Sequence, residues 1–298
     1  MRLAITGGSG LLGTNFALNR GTADSLFICH NRLQKRAQRY SVTVDLTCRK
    51  SLALKLQEEK ISHLIHAAAL TNVDFCESNL EGAYRVNYKI PKIVSDVCEE
   101  LGIKLVFLST DQVFDGKKND YTENDNVNPI NVYGETKAKA EEYVLKTASS
   151  LIVRTNFFSW GTTYRKSLTD WIIQELRNSN ELSLFSDVFF SPLYAPELIE
   201  IIMHLLKTDQ SGVFHLSSDE VISKCKFGSL VADIFGLDRE LINPVKVDKS
   251  GLLARRPKQM GLNNKKMKGV YSRPLFTMKE RIERLLYEEM PIKGEILK

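Results

Sequence analysis

The stretch "RLAITGGSGLLGTNFA" constrains the fold of this chain more than any other. A short apolar run ends at glycines 7, 10 and 13, and a helical pattern begins directly behind them. A strand-to-helix turn around a pyrophosphate needs this order. The turn requires a residue tolerant of unusual dihedrals, close approach of the phosphates excludes side chains, and the free N–H groups of a helix N-terminus face the anion. Gly7, Gly10 and Gly13 are therefore read as a dinucleotide-binding loop, against the alternative of a purely structural glycine turn.

The rest of the first half agrees with that opening. Apolar runs "RLAIT", "SLFIC", "YSVTV", "ISHLIHA", "IKLVFLS" and "SLIVRT" alternate with helical stretches such as "RKSLALKLQEE" and "LEGAYRVNYKIPKIVSDVCEELG". Strands apolar on both faces, separated by crossover helices, predict an α/β fold with a doubly wound parallel sheet of the Rossmann type. After about residue 155 the rhythm becomes irregular. The expected division is a dinucleotide-binding domain over residues 1–155, with returns near 182–216, and a smaller, mainly substrate-binding lobe over residues 156–298. "FFSPLYAPEL" reads as a strand followed by a proline-started helix.

The second strand bears on which dinucleotide is taken. An acidic residue at its end would accept hydrogen bonds from the adenine ribose, but "FICHNRLQKR" supplies none there. Asn31, Arg32, Lys35 and Arg36 offer donors and positive charge instead, which favours NADPH over NADH. Asp45 and Leu46 follow the third strand where the adenine ring is expected. Ala67, Ala68 and Ala69, after the fourth, are small enough for backbone to approach the cofactor.

Two further segments point to the same crevice, because ligands in open α/β sheets bind outside the carboxyl ends of the strands. "LVFLSTDQVFDG" ends the fifth strand and "NPINVYGETK" opens the next helix. Thr110 offers a hydroxyl to a substrate carbonyl, and Tyr133 offers a phenolic proton. A tyrosine is a slow acid–base near neutral pH, and Lys137, one helical turn on, is placed to stabilise its phenolate.

These motifs, with "HAAALTNVDFCE", "AYRVN", "YTENDNVNPINVYGETKAKAEE", "GVFHLSS" and "ARRPKQMGLNNKKM", occur in the order shown by the extended short-chain dehydrogenases/reductases. The chain resembles that family over nearly its whole length, and within it the dTDP-4-dehydrorhamnose reductase-like branch. The resemblance implies Thr110, Tyr133 and Lys137 as the catalytic triad, with Asn87 at the position of an asparagine that supports a proton relay in many relatives. It implies Gly10, Leu11, Leu12, Asp45, Leu46 and Ala67 to Ala69 as cofactor contacts, and Thr110 and Asp111 as sugar contacts. Arg255 and Arg256 match a basic segment suited to the nucleotide diphosphate. The activity implied is NAD(P)H-dependent reduction of a 4-keto group on a nucleotide-linked 6-deoxyhexose. Two positions depart from the branch: Gln112 stands where relatives commonly have tyrosine, and in "VRTNFFSWG" Phe157 stands where the rhamnose enzymes have tryptophan, with Trp160 displaced. A nucleotide-sugar epimerase and a non-catalytic dinucleotide-binding regulatory subunit, the role of the related methionine adenosyltransferase β subunit, share most of these features and stay open.

Composition narrows the remaining classes. The net charge of +5 is modest for 298 residues, and no aromatic interleaving or nucleic-acid motif accompanies the basic run at 254–269. The five cysteines lack C-x-x-C spacing, and the histidines lack a third ligand nearby in sequence, so neither a zinc site nor a disulfide framework is expected. No apolar run spans a bilayer and no targeting pattern opens the chain. A cytoplasmic protein that binds no membrane is expected, with a homodimer left open.

Overall fold

The computed structural model describes residues 1–20, 25–29, 40–147, 149–162 and 166–289. Its framework is a seven-stranded parallel sheet. The first six strands are β1 (Leu3–Thr6), β2 (Ser25–Ile28), β3 (Ser41–Val42), β4 (His63–His66), β5 (Lys104–Thr110) and β6 (Leu151–Thr155), and Gly212–Leu216 is the seventh. In space they run β3-β2-β1-β4-β5-β6 and then the seventh strand, every neighbouring pair being parallel. The order reverses between β1 and β4, which opens a crevice at their carboxyl ends. The doubly wound Rossmann sheet expected from the alternating apolar runs is the architecture observed.

Strand periodicity explains why both faces are covered. Successive side chains of a strand point to opposite faces, so one apolar run feeds two cores. Leu3, Ile5, Ile65, Val106 and Val153 belong to the core that packs against helices Leu11–Arg20 and Ala195–Lys207. Ala4, Leu64, Leu105, Phe107 and Ile152 face the other way, into the core shared with helices Arg49–Glu58, Ile90–Glu100 and Val132–Val144. Pro91 sits in the first turn of the helix Ile90–Glu100, and a single π turn at Arg85–Lys89 leads into it. Proline lacks the N–H that would close the helical bond to residue 87, which accounts for the irregular turn there.

A third core forms away from the sheet, around Phe158, Trp160, Ile172, Leu182, Phe190, Phe227 and Ile282. Its strands are short. Leu182–Phe185 was expected to return toward the large sheet, but it pairs in parallel with Ile242–Val245 in a separate two-stranded ribbon. Phe189–Phe190 lies between Ile222–Ser223 and Gln259–Met260, and Leu193–Tyr194 pairs with Phe157–Phe158. The helix Ala195–Lys207, with Pro196 in its first turn, packs on the large sheet, as do Met267 and Tyr271.

One buried ion pair ties that helix to the last one. Glu197 accepts from Arg281 Nε at 2.6 Å, with the two side chains 4% and 0% exposed, and Arg281 lies on the helix Met278–Tyr287. Glu197 also accepts from the Phe276 N–H at 3.0 Å. Removing the cation alone leaves a carboxylate buried without its counter-charge, so Arg281→Met is expected to cost about 3–5 kcal/mol of stability. The double change Glu197→Gln with Arg281→Met should recover much of that loss, and urea unfolding of the two variants measures both effects.

Candidate active site

The carboxyl ends of β1, β4, β5 and β6 converge on one cavity of about 260 Å³. Its floor is the glycine loop. Gly7 has φ +69°, and a Cβ built there would lie 2.8 Å from the Ala68 backbone nitrogen, so a side chain is excluded by both conformation and space. Gly10, Leu11 and Leu12 continue the lining along the start of their helix, and Ala67 and Ala69 form the adjoining wall. Gly13 packs the helix onto the loop at Gly8 and Ala68 supports Gly7, and neither lines the cavity. Free N–H groups at the mouth of the helix and a loop that admits no side chain fit the diphosphate of a dinucleotide.

The opposite wall carries the reactive groups. Tyr133 and Lys137 both line the cavity, one turn apart on the helix Val132–Val144, and both are buried. Lys137 Nζ donates to the Leu108 carbonyl at 2.7 Å and stands 4.0 Å from the centroid of the Phe107 ring. Burial pushes its pKa down to about 7, and the Glu141 carboxylate one turn further on opposes that shift. His66 stacks on the same Phe107 ring at 6.0 Å, with its Nδ1 2.7 Å from the Thr6 hydroxyl. Burial, aided by the Lys137 charge, brings the His66 pKa down to about 3, so this ring is neutral near pH 7. It packs within the core.

Thr110 completes the wall at the end of β5. Its Oγ1 accepts from the Gln112 N–H at 3.2 Å and donates to Asp111 Oδ1 at 3.1 Å. Binding a substrate carbonyl therefore requires the Thr110 hydroxyl to exchange its Asp111 partner. Asp111 is buried and outside the lining, and its Oδ2 accepts from Asn156 Nδ2 at 2.9 Å. Burial raises its pKa, opposed by the bond from Asn156, the charge of Lys224 and the bond from Thr110.

The other expected residues are dispersed. Phe157 lines the cavity, whereas Trp160 is buried in the third core and donates from Nε1 to the Leu285 carbonyl at 2.7 Å. Asp45 is exposed and outside the cavity, its carboxylate bonded to Thr47 N–H at 2.9 Å and Thr47 Oγ1 at 2.6 Å, while Leu46 packs on the core beneath the sheet. Asn31 and Arg32 lie outside the described residues. Asn87 is buried in the π turn and does not line the cavity; it clamps the backbone of Leu70, donating to its carbonyl at 2.9 Å and accepting from its N–H at 2.8 Å.

Arg256 is engaged within the protein. Its guanidinium pairs with Asp74 at 2.5 Å and donates to the Ala254 carbonyl at 2.8 Å, while Asp74 also accepts from the Ala254 N–H. It anchors its own segment to the helix Val73–Ser78. A larger cavity of about 380 Å³ lies between Asp115–Lys117 and residues 247–258 and includes Arg255 and Arg256. None of the glycine loop, Tyr133 or Lys137 borders it, so the chemistry belongs to the smaller cavity.

Sequence reasoning missed Thr71, Ser109, Thr155 and Asn156 in the lining. All four follow or end strands β4, β5 and β6, so the carboxyl-end rule was the available signal. Ser109 Oγ donates to Glu141, which is also held by Arg154 at 2.7 Å.

With this geometry in view, the relatives are informative. The family model of the RmlD substrate binding domain matches residues 1–290. The chain belongs to this family. A probable low-salt glycan biosynthesis reductase of Haloferax volcanii is 29% identical over 231 residues, covering 76% of this chain and 77% of that protein. The dTDP-4-dehydrorhamnose reductase of Aggregatibacter actinomycetemcomitans is 26% identical over 271 residues, covering 86% and 88%. Among solved structures, the dTDP-4-dehydrorhamnose reductase of Bacillus anthracis in complex with NADP superposes with a TM-score of 0.86 at 26% identity, covering 96% of this chain and 99% of that one. In this RmlD-family chain the glycine loop and the Tyr133 helix therefore face each other within a fold shared almost end to end with a reductase.

The buried lysine gives a pH signature that needs no substrate. Its pKa is about 7 in the fold and near 10.5 in the unfolded chain, so between those values the unfolded chain holds the extra proton. Stability of the ligand-free protein is expected to rise with pH from about 7 toward 10 through this group. Lys137→Met should remove that rise and be the more stable protein at pH 7. Chemical denaturation at pH 6, 8 and 9.5 measures it, and equal pH slopes for the two proteins would contradict the burial.

Proposed function

We propose that the protein reduces the 4-keto group of a nucleotide-linked 6-deoxyhexose, with NADPH as reductant. The observation that carries this reading is the single cavity in which a side-chain-free glycine loop faces Tyr133, Lys137 and Thr110. The named activities of the reductase relatives, one solved with NADP, support it.

Gly7, Gly10, Leu11, Leu12, Ala67 and Ala69 hold the dinucleotide, with Gly13 and Ala68 shaping the loop from behind. From the sequence alone, Asn31 and Arg32 are assigned to a 2′-phosphate, and Asp45 and Leu46 to the adenine end. NADPH, when bound, supplies the hydride that reaches the carbonyl carbon. Tyr133 gives its phenolic proton to the carbonyl oxygen, so the ketone leaves as a hydroxyl. The positive form of Lys137 lowers the cost of the phenolate that remains. Thr110 turns from Asp111 to the carbonyl oxygen, and Asp111, buried behind the lining, keeps its bond from Asn156 and supports that wall rather than meeting the sugar. Phe157 supplies an apolar face for the ring. Residues 156–298 serve mainly as the lobe that holds the sugar nucleotide. The same reading carries a cytoplasmic location. Among the described residues no helix is long and apolar enough to cross a membrane.

Purified protein should oxidise NADPH in proportion to an added nucleotide-linked 4-keto-6-deoxysugar and not without it. Tyr133→Phe should lower kcat by about 100- to 10,000-fold with little change in NADPH affinity. Equal turnover by that variant would remove the proton-donor role, and tightly held, non-exchanging NAD⁺ would point to an epimerase. Arg32→Glu should move the cofactor preference toward NADH, read as the ratio of kcat/KM for the two nucleotides.

A further inference from the structure

Gln112 departs from the pattern its neighbours follow, and the structure fixes which way its amide points. It lies in the single turn Asp111–Val113 behind β5 and lines the cavity with Thr110, Tyr133 and Phe157. Its orientation is set by Asn131. Asn131 Oδ1 caps the helix Val132–Val144 by accepting from the Gly134 N–H at 2.8 Å, so its Nδ2 faces the other way. There Nδ2 donates to the Arg255 carbonyl at 2.9 Å and to Gln112 Oε1 at 3.0 Å. Flipping Asn131 would set two donors together at Gly134 and two acceptors together at Arg255, so its assignment is determined by its partners. An atom facing a fixed donor must be an acceptor. Gln112 therefore turns Oε1 to Asn131, and its Nε2 has no protein partner among the described residues.

The support behind this amide is tight. A Cβ on Gly134 would lie 2.1 Å from the Gln112 carbonyl oxygen, so the helix start and the turn are in direct contact. The Gln112 backbone N–H is bonded to the Thr110 hydroxyl, which fixes the side chain's origin beside the residue that meets the carbonyl.

We infer that Gln112 is a specificity-determining residue that donates from Nε2 to a hydroxyl oxygen on the sugar carbon flanking the reduced carbonyl. The inference rests on the proposed function. A committed acceptor and an open donor select a ligand atom with a lone pair. A hydroxyl at that carbon satisfies the amide, a hydrogen leaves it unpaired, and an ammonium confronts it with a second donor.

The test uses the full chain with NADPH and three nucleotide-linked 4-keto-6-deoxysugars: one with the flanking hydroxyl, one with hydrogen in its place and one with an amine. Gln112→Glu keeps the acceptor that Asn131 needs while replacing the donor by an acceptor, and Gln112→Met removes both. The unmodified protein should prefer the hydroxyl sugar over the deoxy sugar by about 10- to 100-fold in kcat/KM, expressed chiefly in KM. Both variants should flatten that ratio, and Gln112→Glu should turn toward the amine. NADPH affinity, measured by fluorescence titration, should be the same in all three proteins, which separates lost recognition from a damaged fold. Turnover by the unmodified protein with an unchanged hydroxyl-to-deoxy ratio in Gln112→Glu would overturn this inference alone. No turnover of any of the three sugars by the unmodified protein would overturn the proposed function and this inference with it.

Discussion

The buried pairing of Glu141 with Arg154 is the contact on which the site depends. It joins the helix Val132–Val144 to β6, and Ser109 Oγ adds β5 to the same carboxylate. The two charged side chains are 3% and 6% exposed, so neither is compensated by water, and each holds the other in place. His215, on the seventh strand, lies 3.3 Å from Arg154 and extends the tie across three strands. A helix pinned at residue 141 has its register fixed. Lys137 then falls one turn earlier over Phe107 and Leu108, and Tyr133 one turn before that, at the cavity.

This arrangement also sets the local charge. Lys137 is buried against an aromatic face, a backbone carbonyl and a neutral His66, and the nearest carboxylate in its helix is shared with an arginine. The burial that depresses its pKa is the same burial that strengthens its field on an adjacent phenolate, since low dielectric amplifies both. A lysine in water at this spacing would keep its proton more easily and would do less with it.

Much of this was legible in the sequence because it is local. The glycine spacing behind β1, the alternating apolar runs and the Tyr133–Lys137 interval each depend on neighbours within a turn or a strand. The sequence was less informative wherever partners are distant. Arg256 meets Asp74 across 182 positions, and no spacing rule connects them. Leu182–Phe185 is a strand as long as β1, but its partner Ile242–Val245 lies far along the chain, so its own pattern could not show which sheet it joins. Asp45 was placed correctly after β3, but its hydroxyl partner two residues on draws the carboxylate into a local turn. Thr110 combines both outcomes: it ends its strand at the cavity as expected, and it also caps the next turn, the plainer role that such a residue often has.

Asn131 shows how the two lobes bear on one another. A single amide caps the helix Val132–Val144, orients Gln112 and holds the backbone of Arg255. Arg256, the next residue, is held by Asp74 from the Rossmann side. The segment 254–256 is thus bound on two sides by the large domain, and Arg255, whose side chain is exposed, sits between these anchors. Both arginines border the larger cavity, but Arg256 is also paired with Asp74, whereas the Arg255 side chain is exposed.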